Sequence, residues 1–369
     1  MTVPIEILNK FPKHTNEQLL LNLSNPVGKN KLILDTDTAN EIDDQFALAW
    51  ALLSGDKIDL LGVTAEPYSF QHHKEELLEA YNIIIENKEV SKDNIDLVNS
   101  YRDWVNGLID SNQHPHEIYF DTPEEGVEKS YQEIIKIFDK LNMPHEGKVF
   151  KGSEQYLTSF DEPLITESSE FIVNTCLLYP HEKIYVCAIG CLTNIASALL
   201  MEPKIINNLV VVWTSGFPTH SINNNANSLN LVQDVLSSQL LFECGVANVY
   251  LPGYNVGAQL TLSLPDMKEF VKGRGDIGNY LYELYTNNPL HKQRGVIDQT
   301  WRTWVIWDVI TIAWMLDSSW VPSHIVSSPT LNDELYWRRE NESYPMREAY
   351  GVNRDAIFHD FFKKIDKLK

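Results

Sequence analysis

An open, mostly parallel α/β sheet with helices on both faces is the fold class this chain predicts. Two observations carry it. Short apolar runs with β-rich composition alternate with helical patterns, the signature of parallel strands joined by crossover helices. The 369 residues are 43% apolar and 22% charged, with 17 Gly and 17 Pro, ordinary globular usage that supports a real core. No repeat, low-complexity tract or Gly/Ser-rich linker divides the chain, so residues 1–369 read as one domain.

In chain order, Met1 to Phe11 carries Glu6 inside a short apolar stretch and no small-residue cleavage site, which reads as an uncleaved start. Strands are expected at Lys31 to Thr36, Ile58 to Ala65, Lys183 to Ile189 and Leu209 to Thr214. Helices are expected at Asp43 to Leu53, Val127 to Leu141, Glu167 to Leu178, Thr193 to Leu200 and Val235 to Glu243, where apolar residues recur at three- and four-residue steps. Phe70 to Asp121 reads as a helical insertion at about 70–121, with a polar tip at His114 and His116. Near the end, Glu334 to Glu340 and Tyr344 to Val352 suggest a hairpin. Asp355 to Leu368 is amphipathic, with Ile357, Phe358, Phe361, Phe362 and Ile365 on one side.

Charge excludes several partners. Thirty Lys and Arg against 51 Asp and Glu leave a net −21, a field that repels nucleic-acid backbones and anionic membranes. No run approaches the roughly 20 apolar residues of a membrane span. Cys176, Cys187, Cys191 and Cys244 read as buried thiols, which suits a reducing, cytoplasmic setting.

The most informative segment is Leu32 to Leu48, LILDTDTANEIDDQFAL, where an apolar strand runs into Asp35, Asp37, Glu41, Asp43 and Asp44. Capping of the next helix accounts for one or two of these acids. The rest repel one another and need a cation, and a hard divalent ion such as Ca²⁺ takes six to eight oxygen ligands. In open sheets, ligands bind beyond the C-terminal strand ends, which is where this cluster falls.

At these residues the chain resembles the inosine-uridine nucleoside hydrolase family, whose first strand ends in DxD followed by DD and an Ala-Leu helix: here Asp35-Thr-Asp37, Asp43-Asp44 and Ala47-Leu48. Further blocks lie in family order at Ala188 to Ala196 (AIGCLTNIA), Val210 to Asp234 and Trp307-Asp308, so the resemblance runs from about Lys31 to Pro322. It implies the nucleoside hydrolase fold, a Rossmann-like sheet, and a Ca²⁺ held by Asp37, Asp44, Asp308 and the carbonyl of Ile189. It also implies Asp37 as general base on a water that attacks the anomeric carbon of a ribonucleoside or related N-riboside, releasing ribose and free base. Asp43 and Asn230 would hold ribose hydroxyls and so favour ribose over deoxyribose. Nucleoside catabolism and base salvage follow as the setting, a small nucleoside as the partner, and a dimer or tetramer as the assembly the family commonly forms.

Three departures stand out. The Asp37-to-Asp43 gap is two residues longer than the family's usual one. Ser228 in Ser228-Leu229-Asn230 stands where the family has Glu, and Trp307 stands where many members have His, leaving stacking in place of proton donation. The Asn-rich loop at Asn223, Asn224, Asn225 and Asn227 offers replacement polar contacts, Asn227 among them as a substrate-binding candidate. Ser228 and Trp307 also keep open a non-catalytic nucleoside or sugar binder. The strand-then-DxD pattern is similar, too, to haloacid dehalogenase-type phosphatases, but Ala39 stands where that class has Thr. Of the lesser signals, Gly273 to Gly278 spells GxGxxG but follows the polar helical pattern of Pro265 to Lys272 rather than a strand. The Trp301, Trp304, Trp307 series suggests one apolar helix face. His72, His73, His114 and His116 read as solvated residues, any of which could reach a leaving base as an acid.

Overall fold

The computed structural model describes residues 2–86, 90–91, 94–288, 303–339 and 343–369. Its main sheet has eight strands: β1 (Asn30–Thr36), β2 (Ile58–Ala65), β3 (Val149–Lys151), β4 (Ile184–Ala188), β5 (Leu209–Ser215), β6 (Ala247–Pro252), β7 (Ser323–Ser327) and β8 (Pro345–Ala349). They lie in the order β3-β2-β1-β4-β5-β6-β8-β7, all parallel except β7, which runs antiparallel to β8.

The side-chain period of two splits each strand between two cores. Leu32, Leu34, Tyr185, Cys187, Val210 and Val212 face one; Ile33, Val186, Ala188, Val211 and Trp213 face the other. Helices α1 (Asp43–Leu52), α4 (Pro123–Lys140), α8 (Gly275–Thr286), α9 (Val309–Leu316) and α10 (Arg354–Ile365) cover the first face; α5 (Glu167–Leu178), α6 (Thr193–Met201) and α7 (Val235–Glu243) cover the second. Burial on both sides is why these strands are continuous Val/Ile/Leu runs.

Between β2 and α4 lie helices α2 (His73–Ile85) and α3 (Ile95–Asp110), which share a separate cluster around Leu77, Tyr101, Trp104, Leu108 and Phe120. All four cysteines are buried free thiols.

Two expectations fail. The hairpin between Glu334–Glu340 and Tyr344–Val352 does not form: Trp337–Arg338 pairs back onto Thr330–Leu331, and Pro345–Ala349 is drawn into the main sheet as β8. Its Met346 and Ala349 are buried there, and a two-stranded ribbon would leave them wet. Trp304 lies on a short strand, Thr303–Val305, paired with Thr261–Ser263, so the tryptophans do not share a helix face; Trp301 lies outside the described residues. Gly273-to-Gly278 follows a helical turn at Met267–Val271 rather than a strand, as expected.

Candidate active site

From β1 the chain moves outward through β2 to β3 on one side, and through β4, β5 and β6 on the other. β1 is therefore the switch point of the sheet, where a crevice opens beyond the strand ends. Asp35 ends the strand in register with Thr64 of β2 and Ala188 of β4, and Asp37 follows two residues on.

The loop from Asp37 to α1 is a tight one. Ala39 adopts φ +86°, a left-handed conformation that costs a residue with a Cβ, and the turn closes as Asn40 N donates to the Asp37 carbonyl at 3.1 Å. Asp43 and Asp44 then open α1, where helix N-termini favour negative charge.

Asp37, Glu41, Asp43, Asp44 and Asp308 line one open pocket of about 660 Å³ with Asn40, Ile189, Asn227, Ser228, Asn230, Tyr254 and Trp307. The four aspartates are at most 4% exposed. Asp43, Asp44 and Asp308 each bring an oxygen within 4.8 Å of the others. Burial first, and then the charge of neighbouring carboxylates, Glu41 and Asp37 among them, pushes all three carboxyls well above the usual range. Three buried oxygen-donor acids with that repulsion fit a hard cation, whose charge would let them ionise. The tight trio contains Asp43, expected on the sugar, rather than Asp37, expected on the cation.

Asp37 is held by amides. Its Oδ2 accepts from Asn40 Nδ2 at 3.0 Å and from Gln233 Nε2 at 3.5 Å. Gln233 is itself anchored, its Oε1 accepting from Ser69 N at 2.7 Å and the Tyr156 hydroxyl at 2.8 Å. Burial raises the Asp37 carboxyl to about 7; the charge of Asp43 adds to this and the two amides oppose it.

The remaining expected residues also meet here. Asp44 Oδ1 accepts from Thr36 Oγ1 at 2.5 Å, and Asp43 Oδ2 from the Trp307 backbone N–H at 3.1 Å. Asn230 Nδ2 donates to the Ile189 carbonyl at 2.8 Å, leaving that oxygen a second lone pair. Ser228 Oγ, 2.8 Å from Ser215 Oγ, accepts from Gly216 N at 2.8 Å, so this hydroxyl braces the loop after β5. Asn225 is buried in the same loop and accepts from Phe217 N, whereas Asn223 and Asn224 are exposed. Asn227 offers its carbonyl to the Tyr254 hydroxyl at 2.6 Å.

None of His72, His73, His114 and His116 lines the pocket: His73 Nδ1 meets the Tyr101 hydroxyl at 2.6 Å, and His114 caps the turn at Pro115–Glu117. Sequence reasoning missed Asn40 and Tyr254 as pocket residues and Gln233 as a partner of Asp37. Tyr254 had a legible cue in the apolar run that becomes β6, whose C-terminal end it follows; Gln233 had none. Beneath the site, Asp35 Oδ1 accepts from Thr64 Oγ1 at 2.6 Å and Asn194 Nδ2 at 3.0 Å, and Asn194 N donates to Glu66 at 2.8 Å. Burial raises Asp35 to about 6 and Glu66 well above its usual range.

Comparison with known proteins bears on the fold and the family. A probable uridine nucleosidase of Arabidopsis thaliana is 28% identical over 162 residues, a match covering 43% of this chain and 49% of that protein. The fold is shared with a plant nucleoside hydrolase (TM-score 0.61, 16% identity, 91% of this chain and 99% of that one). It is shared as well with a purine-preferring ribonucleoside hydrolase from Gardnerella vaginalis (TM-score 0.61, 20% identity, 92% and 99%). The model of the inosine-uridine preferring nucleoside hydrolases matches residues 32–356, and with the carboxylate pocket at the end of β1 inside that span, the chain belongs to this family.

Proposed function

We propose that the protein hydrolyses the N-glycosidic bond of ribonucleosides or related N-ribosides, with Ca²⁺ as its cation, releasing ribose and a free base. The observation that carries this reading is Asp37: a buried carboxylate with one oxygen pinned by two amides, beside three further acids that need a cation.

Asp37, Asp44, Asp308 and the Ile189 carbonyl would hold the ion. When bound, Ca²⁺ offsets the carboxylate charge and acidifies the attacking water. Asn40 and Gln233 hold Asp37 Oδ2, which leaves Oδ1 to take the water proton. The water oxygen bonds to C1′ as the C1′–N bond breaks. Asp43, oriented by the Trp307 N–H, and Asn230 hold the ribose hydroxyls; Asn227 and Ser228 form the pocket rim, and Trp307 offers an aromatic face to the base.

Free base and ribose as products place the reaction in nucleoside catabolism and base salvage. A cytoplasmic setting and a homo-oligomer belong to the same proposal, with residues 1–369 acting as one domain and the α2–α3 pair as an appendage to it. No helix among the described residues is long and apolar enough to cross a membrane. A phosphatase of the haloacid dehalogenase type needs a Lys for its phosphoryl group beside the metal ion, and no Lys or Arg among the described residues lines the pocket.

The test is ribose release from purine and pyrimidine ribonucleosides, after chelation and again after adding Ca²⁺ or Mg²⁺. Release that stops on chelation and returns best with Ca²⁺ supports the reading and names the preferred base. Ligand binding without ribose release under every condition would replace it with the non-catalytic binder.

A further inference from the structure

The pocket is chemically one-sided. Its lining among the described residues holds five carboxylates and no His, Lys or Arg. The phenol of Tyr254 donates to the Asn227 carbonyl, and burial pushes it up to about 12, which makes it a poor proton donor. Tyr254 and Trp307 stand edge to face, ring centroids 5.8 Å apart at 80°, and Phe217 packs on Tyr254 at 4.6 Å. Glu41, carried by the lengthened loop between Asp37 and Asp43, lines the pocket together with Tyr254 and Trp307. Its charge is felt at Asp43, at Asp44 and at the Tyr254 phenol.

A neutral base leaves as an anion unless something protonates it. A base already quaternised at the bond to ribose leaves neutral and needs no acid. The same positive charge is attracted by a carboxylate and by aromatic faces, the latter by about 0.5–2 kcal/mol.

Building on the hydrolase reading above, we infer that Glu41, Tyr254 and Trp307 form a subsite for a cationic aromatic leaving group, so that the preferred substrates are N-ribosides of a quaternary ring nitrogen. The step balances. Water oxygen bonds to C1′, its proton goes to Asp37, the C1′–N bond breaks, and its electron pair returns to the ring nitrogen and cancels the positive charge. Ribose and a neutral heteroaromatic base are released.

The experiment compares kcat/KM for 1-(β-D-ribofuranosyl)pyridinium with that for neutral p-nitrophenyl β-D-riboside and uridine, in the wild type, Glu41→Gln and Trp307→Leu. It also measures inhibition by 1-methylpyridinium. Turnover of the pyridinium riboside ahead of uridine, a pyridinium-to-nitrophenyl ratio at least tenfold lower in Glu41→Gln, a smaller fall in Trp307→Leu, and inhibition weakened at least fivefold in Glu41→Gln are expected. An unchanged ratio would overturn the inference while nitrophenyl riboside turnover left the hydrolase reading intact. A selective loss on uridine in Glu41→Gln would also overturn it, by making Glu41 a proton donor. No ribose from any of the three compounds would overturn both.

Discussion

Asp37 is the residue on which most depends, because its position is bought by neighbours that do no chemistry themselves. Asp37→Asn keeps the shape and removes the basic oxygen, so kcat should fall about 10²–10⁴-fold with KM little changed. Steady-state ribose release at saturating Ca²⁺ checks this. Gln233→Leu removes one hydrogen bond to Oδ2, worth on the order of 1 kcal/mol, and should lower kcat up to about tenfold while nucleoside binding stays near normal. Ser228 is the opposite case. It stands where the family carries Glu, yet its hydroxyl accepts from Gly216 N, so Ser228→Ala should cost about 1–3 kcal/mol of stability through an orphaned buried N–H. Thermal unfolding separates that loss from a loss of turnover.

The helix α4 rests on the loop after β2. A Cβ built on Gly126 would lie 2.0 Å from the Tyr68 carbonyl oxygen, so Gly126→Ala must push α4 off that loop and should cost about 1–3 kcal/mol or more. Gly55→Ala, where a Cβ meets nothing within 4 Å, is the control expected to melt near the wild type. Elements that lie on one continuous apolar run were legible beforehand: β1, β2, β4 and β5, and helices such as α5 and α7, fall within a residue or two of their sequence-based bounds. What was not legible depends on partners distant in sequence. β3 is three residues long and exists because Val63 to Ala65 offers it a ladder; β8 was misassigned because local alternation cannot tell which neighbour a strand will choose. The site follows the same division. The aspartates announce themselves by their density, whereas Gln233 reaches Asp37 from 196 residues away with nothing local to mark it.

Taken together, the buried acids make the stability of the protein depend on pH and on the cation. Asp35 and Asp37 rise to about 6 and about 7 from ordinary values near 3.8, and Asp43, Asp44, Asp308 and Glu66 are raised well above their ordinary range. A carboxyl whose pKa is higher folded than unfolded penalises the fold once it must ionise. Stability of the chelated protein should therefore rise as pH falls from about 8 through 7 and 6, and level off near 4. Calorimetry in EDTA should show that trend, and added Ca²⁺ should raise the melting temperature most at pH 8, where the charges it offsets are fully developed.

The order of the sheet's far edge bears on how the chain is made. β8 follows β7 in sequence yet sits between β7 and β6, so a nascent chain that has delivered β7 has nowhere to dock it. Until Pro345–Ala349 emerges, β6 presents an open parallel edge of buried-type residues, Ala247, Val249 and Leu251 among them, to any other unfinished chain. Such an edge is a template for aggregation. Cover for that edge thus waits on the arrival of one five-residue strand, and a ribosome that stalls before it leaves behind a product with most of its active site and no finished sheet.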